Sequence, residues 1–117
     1  PEQGHKTLVH IQRLREILTF IHDNYTTDIS LDEIAEYTSL SKSECCRFFK
    51  KHMDMTIFDY ILFYKIQKSL PLLSEDRSIT DIALSVGFSS ASYYTQIFKR
   101  YMKCTPLQYK KNLLGHP

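Results

Sequence analysis

Glycine and proline are scarce in this chain of 117 residues, with only three glycines and four prolines to punctuate it. Strand-type alternation is scarce as well, whereas apolar residues three and four apart recur throughout, so the chain reads as all-α. No apolar run approaches the length of a membrane span, and nothing at the start reads as a signal peptide, so no membrane role is expected. Cysteines number three, which is odd, and Cys45 and Cys46 are neighbours that leave one helix in different directions. A disulfide framework does not fit that pattern, and a reducing, cytoplasmic setting does. No Cys-x-x-Cys occurs, and Cys45, Cys46 and His52 lack zinc-site spacing, so no metal and no cofactor is expected. A phosphate-cradling glycine loop and an evident nucleophile–base pair are both missing, and five scattered histidines do not make a site, so the chain is not read as an enzyme. It opens on Pro1 rather than Met and is expected to be a piece of a longer protein.

What is present is a core. Hydrophobic residues make up 43% of the chain, too many for a disordered tail. The length suits one domain, or two small lobes sharing a spacer. A net charge of +2 says little by itself, but its distribution is uneven. Asp23 to Ser41 holds five acids and no Lys or Arg. Lys42 to Met53 holds four bases (Lys42, Arg47, Lys50, Lys51) against Glu44, and Gln96 to Lys111 holds Lys99, Arg100, Lys103, Lys110 and Lys111 with no acid. Two basic patches suit a polyanion if they share a face, although ordinary solvated helix faces would look the same.

In chain order, residues 1–6 are polar and expected to lie outside any helix. Leu8, Ile11, Leu14, Ile17, Leu18 and Ile21 then form a helical stripe, giving a support helix from about Leu8 to Asn24. Ser30-Leu31-Asp32-Glu33 and Ser41-Lys42-Ser43-Glu44 each have the form of a capping box and open two further helices. The second of these carries Cys45, Phe48 and Phe49 inward. Thr56 caps the longest helix, which should end or kink near Leu70 because Pro71 follows. Ser78 caps a short helix that ends by Val86, and Gly87 supplies the positive φ of a tight turn. A helix from about Ser90 to Tyr101 comes next. Thr105-Pro106-Leu107-Gln108 then opens the last helix with a cap, Pro at the first position and Gln at the third.

The chain contains one unit twice. A shift of 48 places Leu31 on Ile79, Ile34 on Ile82, Ala35 on Ala83, Leu40 on Phe88 and Ser41 on Ser89. A shift of 49 places Phe49 on Phe98, Lys50-Lys51 on Lys99-Arg100, Met53 on Met102, Thr56 on Thr105 and Tyr60 on Tyr109. A short helix, a turn and a second helix with a basic end is the outline of a helix-turn-helix, whose second helix enters the DNA major groove. A small Ala in each copy fits the close approach of two helices.

Gly87-Phe88-Ser89-Ser90, Ser92-Tyr93-Tyr94, Phe98-Lys99-Arg100, Thr105-Pro106 and Tyr109-Lys110 together resemble the signature of the AraC/XylS family of bacterial transcription regulators. Leu31, Ile34-Ala35, Leu40-Ser41, Phe49-Lys50-Lys51 and Tyr60-Ile61 resemble the same family's first helix-turn-helix. The resemblance implies a seven-helix fold with two homeodomain-like lobes, at residues 8–55 and 74–114, joined by a long spacer helix at 56–73. It also implies sequence-specific double-stranded DNA binding in transcription regulation, with two recognition helices (about 42–52 and 90–101) in successive major-groove segments. RNA polymerase, and an N-terminal sensor, effector or receiver domain of the full-length protein, are the further partners it implies. Ser39, Asp54 and Lys103 stand where the family usually has Gly, so positive φ is expected at non-Gly residues there.

Carried onto this chain, the resemblance puts Ser43, Cys46 and Arg47 at base-contacting positions of the first recognition helix. Arg47 can pair bidentately with guanine; an ion pair with Glu44 or a phosphate contact is its other role. On the second helix the corresponding residues are Ala91, Ser92, Thr95 and Gln96, of which Gln96 can pair with adenine. These are small readers, so that helix is expected to lean on backbone contact and DNA shape. Lys42, Lys50, Ser90 and Lys99 are the phosphate candidates. Phe48, Phe49, Tyr60, Tyr64, Phe88, Tyr94, Phe98 and Tyr109 are expected in the core rather than as stacking platforms for single strands. The competing reading is a helical protein–protein module that docks through an exposed, aromatic-rich spacer helix.

Overall fold

The computed structural model describes residues 2–115, with the side chains of residues 2, 3, 5 and 6 outside the description. Among the described residues there are seven α-helices, one 3₁₀ turn and no strand. They are α1 (Glu2–Asn24), α2 (Leu31–Thr38), α3 (Lys42–Met53), α4 (Ile57–Ser69), a 3₁₀ turn over Pro71–Ser74, α5 (Ile79–Ser85), α6 (Ala91–Met102) and α7 (Pro106–Leu113). The chain forms two compact units: one takes the chain up to Asn24 together with Asp28–Tyr60, the other Tyr25–Thr27 together with the chain from Ile61 on.

The first unit is built by α1, α2, α3 and the first turn of α4. Ile17, Ile21, Ile34, Ala35, Cys45, Phe49 and Ile57 are buried in it. The Ser30 box is complete: Ser30 Oγ accepts from the Glu33 N–H at 3.2 Å, and Glu33 Oε1 accepts from the Ser30 N–H at 3.1 Å. At α3 only half of the expected box forms. Ser41 Oγ accepts from the Glu44 N–H at 3.1 Å, but Glu44 stays exposed and does not reach back. An exposed carboxylate gains little by exchanging water for one N–H.

Helix α1 differs from expectation at its start. It begins at Glu2 rather than near Leu8, while Pro1 lies outside the described residues. Once a helix is nucleated, each added residue gains one hydrogen bond, and Glu, Gln and Lys extend it without needing an apolar face. The expected stripe is accordingly divided. Ile17 and Ile21 are fully buried, whereas Leu8 is 67% and Ile11 49% exposed.

The second unit holds the rest of α4, the 3₁₀ turn and α5 to α7. Ile66, Leu73, Ile82, Ala83, Val86, Phe88, Tyr94, Ile97 and Phe98 form its core. The α4 helix stops at Ser69, and Pro71 opens the 3₁₀ turn, as its missing N–H requires. Lys110 Nζ donates to the Leu73 and Glu75 carbonyls at 3.2 and 2.6 Å and so fixes the end of that turn. Thr105 and Gln108 complete a capping box on α7, with Pro106 at its first position.

The internal repeat is structural as well as sequential. In the first unit Phe49 meets the edge of Tyr60, ring centroids 5.7 Å apart. In the second, Phe98 meets the edge of Tyr109 at the same 5.7 Å. In each copy the residue after the turn bonds back to the small alanine: Leu40 N–H to Ala35 O at 3.0 Å, and Phe88 N–H to Ala83 O at 2.9 Å. Ser39, Asp54 and Lys103 do adopt the left-handed conformation, with φ of 58°, 57° and 64°.

Candidate nucleic-acid interface

Helix α3 has two faces because its buried residues are Cys45 and Phe49. Ser43, Cys46, Arg47 and Lys50 follow the i, i+3, i+4, i+7 spacing that lines one side of a helix, away from those two. Ser43, Arg47 and Lys50 are exposed and Cys46 is half-buried. Leu31, Lys42, Ser43, Cys46 and Arg47 line one shallow groove. Arg47 makes no ion pair with Glu44; the ion pairs among the described residues lie elsewhere. Its guanidinium is therefore left to solvent or to a ligand.

Helix α6 repeats the pattern. Tyr94, Ile97 and Phe98 are buried. Ser92, Thr95, Gln96 and Lys99 take the same i, i+3, i+4, i+7 spacing on the other side. Ser92, Gln96 and Lys99 are exposed, while Thr95 and Ala91 are half-buried. Ser90 is the N-cap, and its Oγ accepts from the Tyr93 N–H at 3.1 Å. Its hydroxyl proton remains free to donate. The two outward sets correspond pair by pair across the repeat: Ser43 with Ser92, Cys46 with Thr95, Arg47 with Gln96, Lys50 with Lys99.

Both helices are held by satisfied buried polar groups. Under α3, Thr38 Oγ1 donates to Ile34 O at 2.9 Å and lies 3.4 Å from Cys45 Sγ. Burial pushes the Cys45 thiol up, with a smaller opposing pull from Thr38, so Cys45 is a packed thiol and not a nucleophile. Under α6, Tyr94 Oη donates to Ser69 Oγ at 2.8 Å, and Ser69 donates to Ile66 O at 2.7 Å. Burial pushes the Tyr94 hydroxyl up to about 12.

The turn before α6 is clamped. Lys65 Nζ donates to Gly87 O at 2.9 Å. A Cβ on Gly87, whose φ is +95°, would stand 2.7 Å from the Tyr25 carbonyl oxygen. None of the eight aromatics assigned to the core is exposed, and Phe49, Phe88, Tyr94 and Phe98 are buried. A single-strand stacking platform is thereby excluded at these positions.

Three features escaped the sequence reading. Lys42 pairs with Asp32 at 3.1 Å, Lys65 reaches the turn glycine, and Tyr93 is 39% exposed on α6 while meeting Phe88 edge-on at 5.7 Å. The first could have been suspected from acids at the start of α2 and a base at the start of α3. The other two depend on how separate elements pack, and no local pattern announces them. Among the described residues, no group of three or more His, Cys, Asp or Glu could hold a metal ion, and no helix is long and apolar enough to cross a membrane.

Two units, each pairing a short helix with an outward-facing helix across a tight turn, define a tandem helix-turn-helix protein. Residues 34–112 match the family described as helix-turn-helix domain. The HTH-type transcriptional regulator YdeC of Bacillus subtilis is 40% identical over 111 residues, which is 94% of this chain and 38% of YdeC. The C-terminal domain of the two-component response regulator yesN from Fusobacterium nucleatum is 31% identical, with a TM-score of 0.74 over 80% of this chain and 93% of that one. A Chromobacterium violaceum transcriptional regulator with an AraC-type DNA-binding domain is 26% identical, with a TM-score of 0.79 over 85% of this chain and 89% of that one. The chain belongs to the AraC-type helix-turn-helix family. Its function is sequence-specific DNA binding in the regulation of transcription. It spans well under half the length of the curated relatives it matches, 38% of YdeC for example.

Proposed function

We propose that α3 and α6 are two recognition helices that enter successive major-groove segments of one duplex, residues 8–55 and 74–114 acting as the reading lobes and 56–73 as the spacer. The observation that carries the proposal is the shared register. Two helices a repeat apart present the same four outward positions opposite the same buried face. Adjacent major-groove segments lie roughly 34 Å apart. On α3, Arg47 reads guanine through O6 and N7, while Ser43 and Cys46 fit the neighbouring base edges. On α6, Gln96 reads adenine, and Ala91, Ser92 and Thr95 pack against bases without charged readout. Lys42, Lys50, Ser90 and Lys99 hold phosphates, helped by the positive ends of the two helices. A protein–protein module would need an exposed apolar spacer. On α4 only Phe58 among the large apolar residues is exposed, at 53%, which favours the DNA reading.

The relatives' greater length supports a further part of the proposal. The chain is the DNA-binding portion of a longer cytoplasmic bacterial regulator, whose remaining part senses a signal or receives a phosphoryl group. Its bound form acts on transcription through RNA polymerase. The reading of bases is tested on a duplex recovered by selection. Arg47→Ala should lose discrimination at one base pair, worth about 1–3 kcal/mol. Lys50→Ala should weaken all duplexes alike and flatten the log–log salt slope by about 0.9. An Arg47→Ala variant with unchanged preference at every position would overturn the assignment.

A further inference from the structure

We propose that Asp32 restrains DNA binding by holding Lys42, so that the domain's affinity for every duplex is set below what its basic residues could supply. The inference rests on the reading of Lys42 as a phosphate contact. Asp32 lies in the first turn of α2, and Lys42 is the first residue of α3. Lys42 Nζ and Asp32 Oδ1 are 3.1 Å apart, and both side chains are exposed, at 58% and 76%. The capping box of α2 is completed by Ser30 and Glu33 without Asp32. Asp32 is thus not needed for that box, and its charged contact is Lys42.

Lys42 also lines the groove shared with Ser43, Cys46 and Arg47. A phosphate approaching that groove meets an ammonium already partnered, with a carboxylate beside it. To bind the phosphate, Lys42 must give up Asp32 or share itself between two anions. The exchange is possible because an exposed pair is weak. It is also a uniform cost, since phosphates are the same at every sequence. Asp32 is therefore a positioning residue that acts through Lys42 on overall affinity and not on base choice. The second copy has no such pair: Ala91 stands at the first position of α6, where α3 has Lys42.

The test compares the domain with its Asp32→Asn, Lys42→Ala and doubly substituted variants. Each is titrated with the selected duplex and with a scrambled duplex of equal length, at several salt concentrations. Asp32→Asn should tighten both duplexes by the same factor, roughly two- to fivefold near 0.1 M salt. Lys42→Ala should weaken both and flatten the salt slope by about 0.9. In the double variant the gain from Asp32→Asn should vanish. A merely structural role for Asp32 would not tighten binding, because losing an acid from a helix start weakens the helix. Unchanged or weaker binding of Asp32→Asn, alongside a normal loss in Lys42→Ala, overturns the restraint alone. A gain that persists without Lys42 overturns it too, since the carboxylate would then be repelling DNA directly. Unchanged binding of Lys42→Ala overturns the phosphate contact itself, and the restraint with it.

Discussion

Gly87 and Lys103 both have positive φ, at +95° and 64°, yet glycine should be kept at the first and gained at the second. At Gly87 a methyl group would meet the Tyr25 carbonyl oxygen at 2.7 Å, a backbone atom that cannot swing aside. Gly87→Ala should cost at least ~2 kcal/mol, from strain and overlap together. At Lys103 the backbone preference outweighs one exposed bond from Nζ to the Arg100 carbonyl at 3.1 Å, and Lys103→Gly should stabilise by about 1 kcal/mol and raise the melting temperature by a few degrees. Thermal melts of the two variants check the pair; a Gly87→Ala protein as stable as its parent would contradict the clamp on that turn. Tyr94 gives a pH signature. Its folded pKa, about 12, lies above the ordinary 10, so folding favours the neutral phenol. That contribution is whole below pH 10 and is lost as the pH rises towards 12. Two pH units correspond to roughly 2–3 kcal/mol. Tyr94→Phe should lower stability by about 1 kcal/mol at neutral pH, since Ser69 keeps its bond to Ile66 O. It should also flatten the fall in urea midpoint between pH 10 and 12. Parallel pH profiles for parent and variant would contradict the assignment.

Among the elements, the starts were more legible than the lengths. Ser30, Ser41, Thr56, Ser78 and Thr105 all accept from the N–H three residues on, as expected of caps. A hydroxyl before an apolar run is a local signal that needs no tertiary partner. The end of α4 at Ser69, ahead of Pro71, was legible for the same reason. The start of α1 was not, because residues 2–7 carry no apolar periodicity, and helix propagation leaves no mark that periodicity would detect. The exposure of Leu8 and Ile11 was hidden too: spacing shows that residues share a face, but not what covers it. Thr105→Ala removes the hydroxyl half of the α7 box and should cost about 1 kcal/mol. Circular dichroism melts would show it, and a loss below ~0.3 kcal/mol would mean that Pro106 and Gln108 suffice.

On the scale of the whole chain, the repeat was the strongest sequence signal. Its Phe-basic-basic and Thr/Tyr matches become a recurring edge-to-face contact and a recurring outward register. That Ser43, Cys46, Arg47 and Lys50 lie away from the buried face of α3 was legible from spacing, while the choice of reading positions on both helices came with the family resemblance. What spacing could not give was the state of each charge. Arg47 is free of Glu44 while Lys42 is held by Asp32, and side chains from separate helices decide that. The functional account stands on two readers acting on one duplex. A selection from random duplex DNA with this domain tests it most directly. The account predicts a recovered site with two blocks about ten base pairs apart, and an affinity that falls steeply with salt. A single block, or binding without sequence preference, would contradict it.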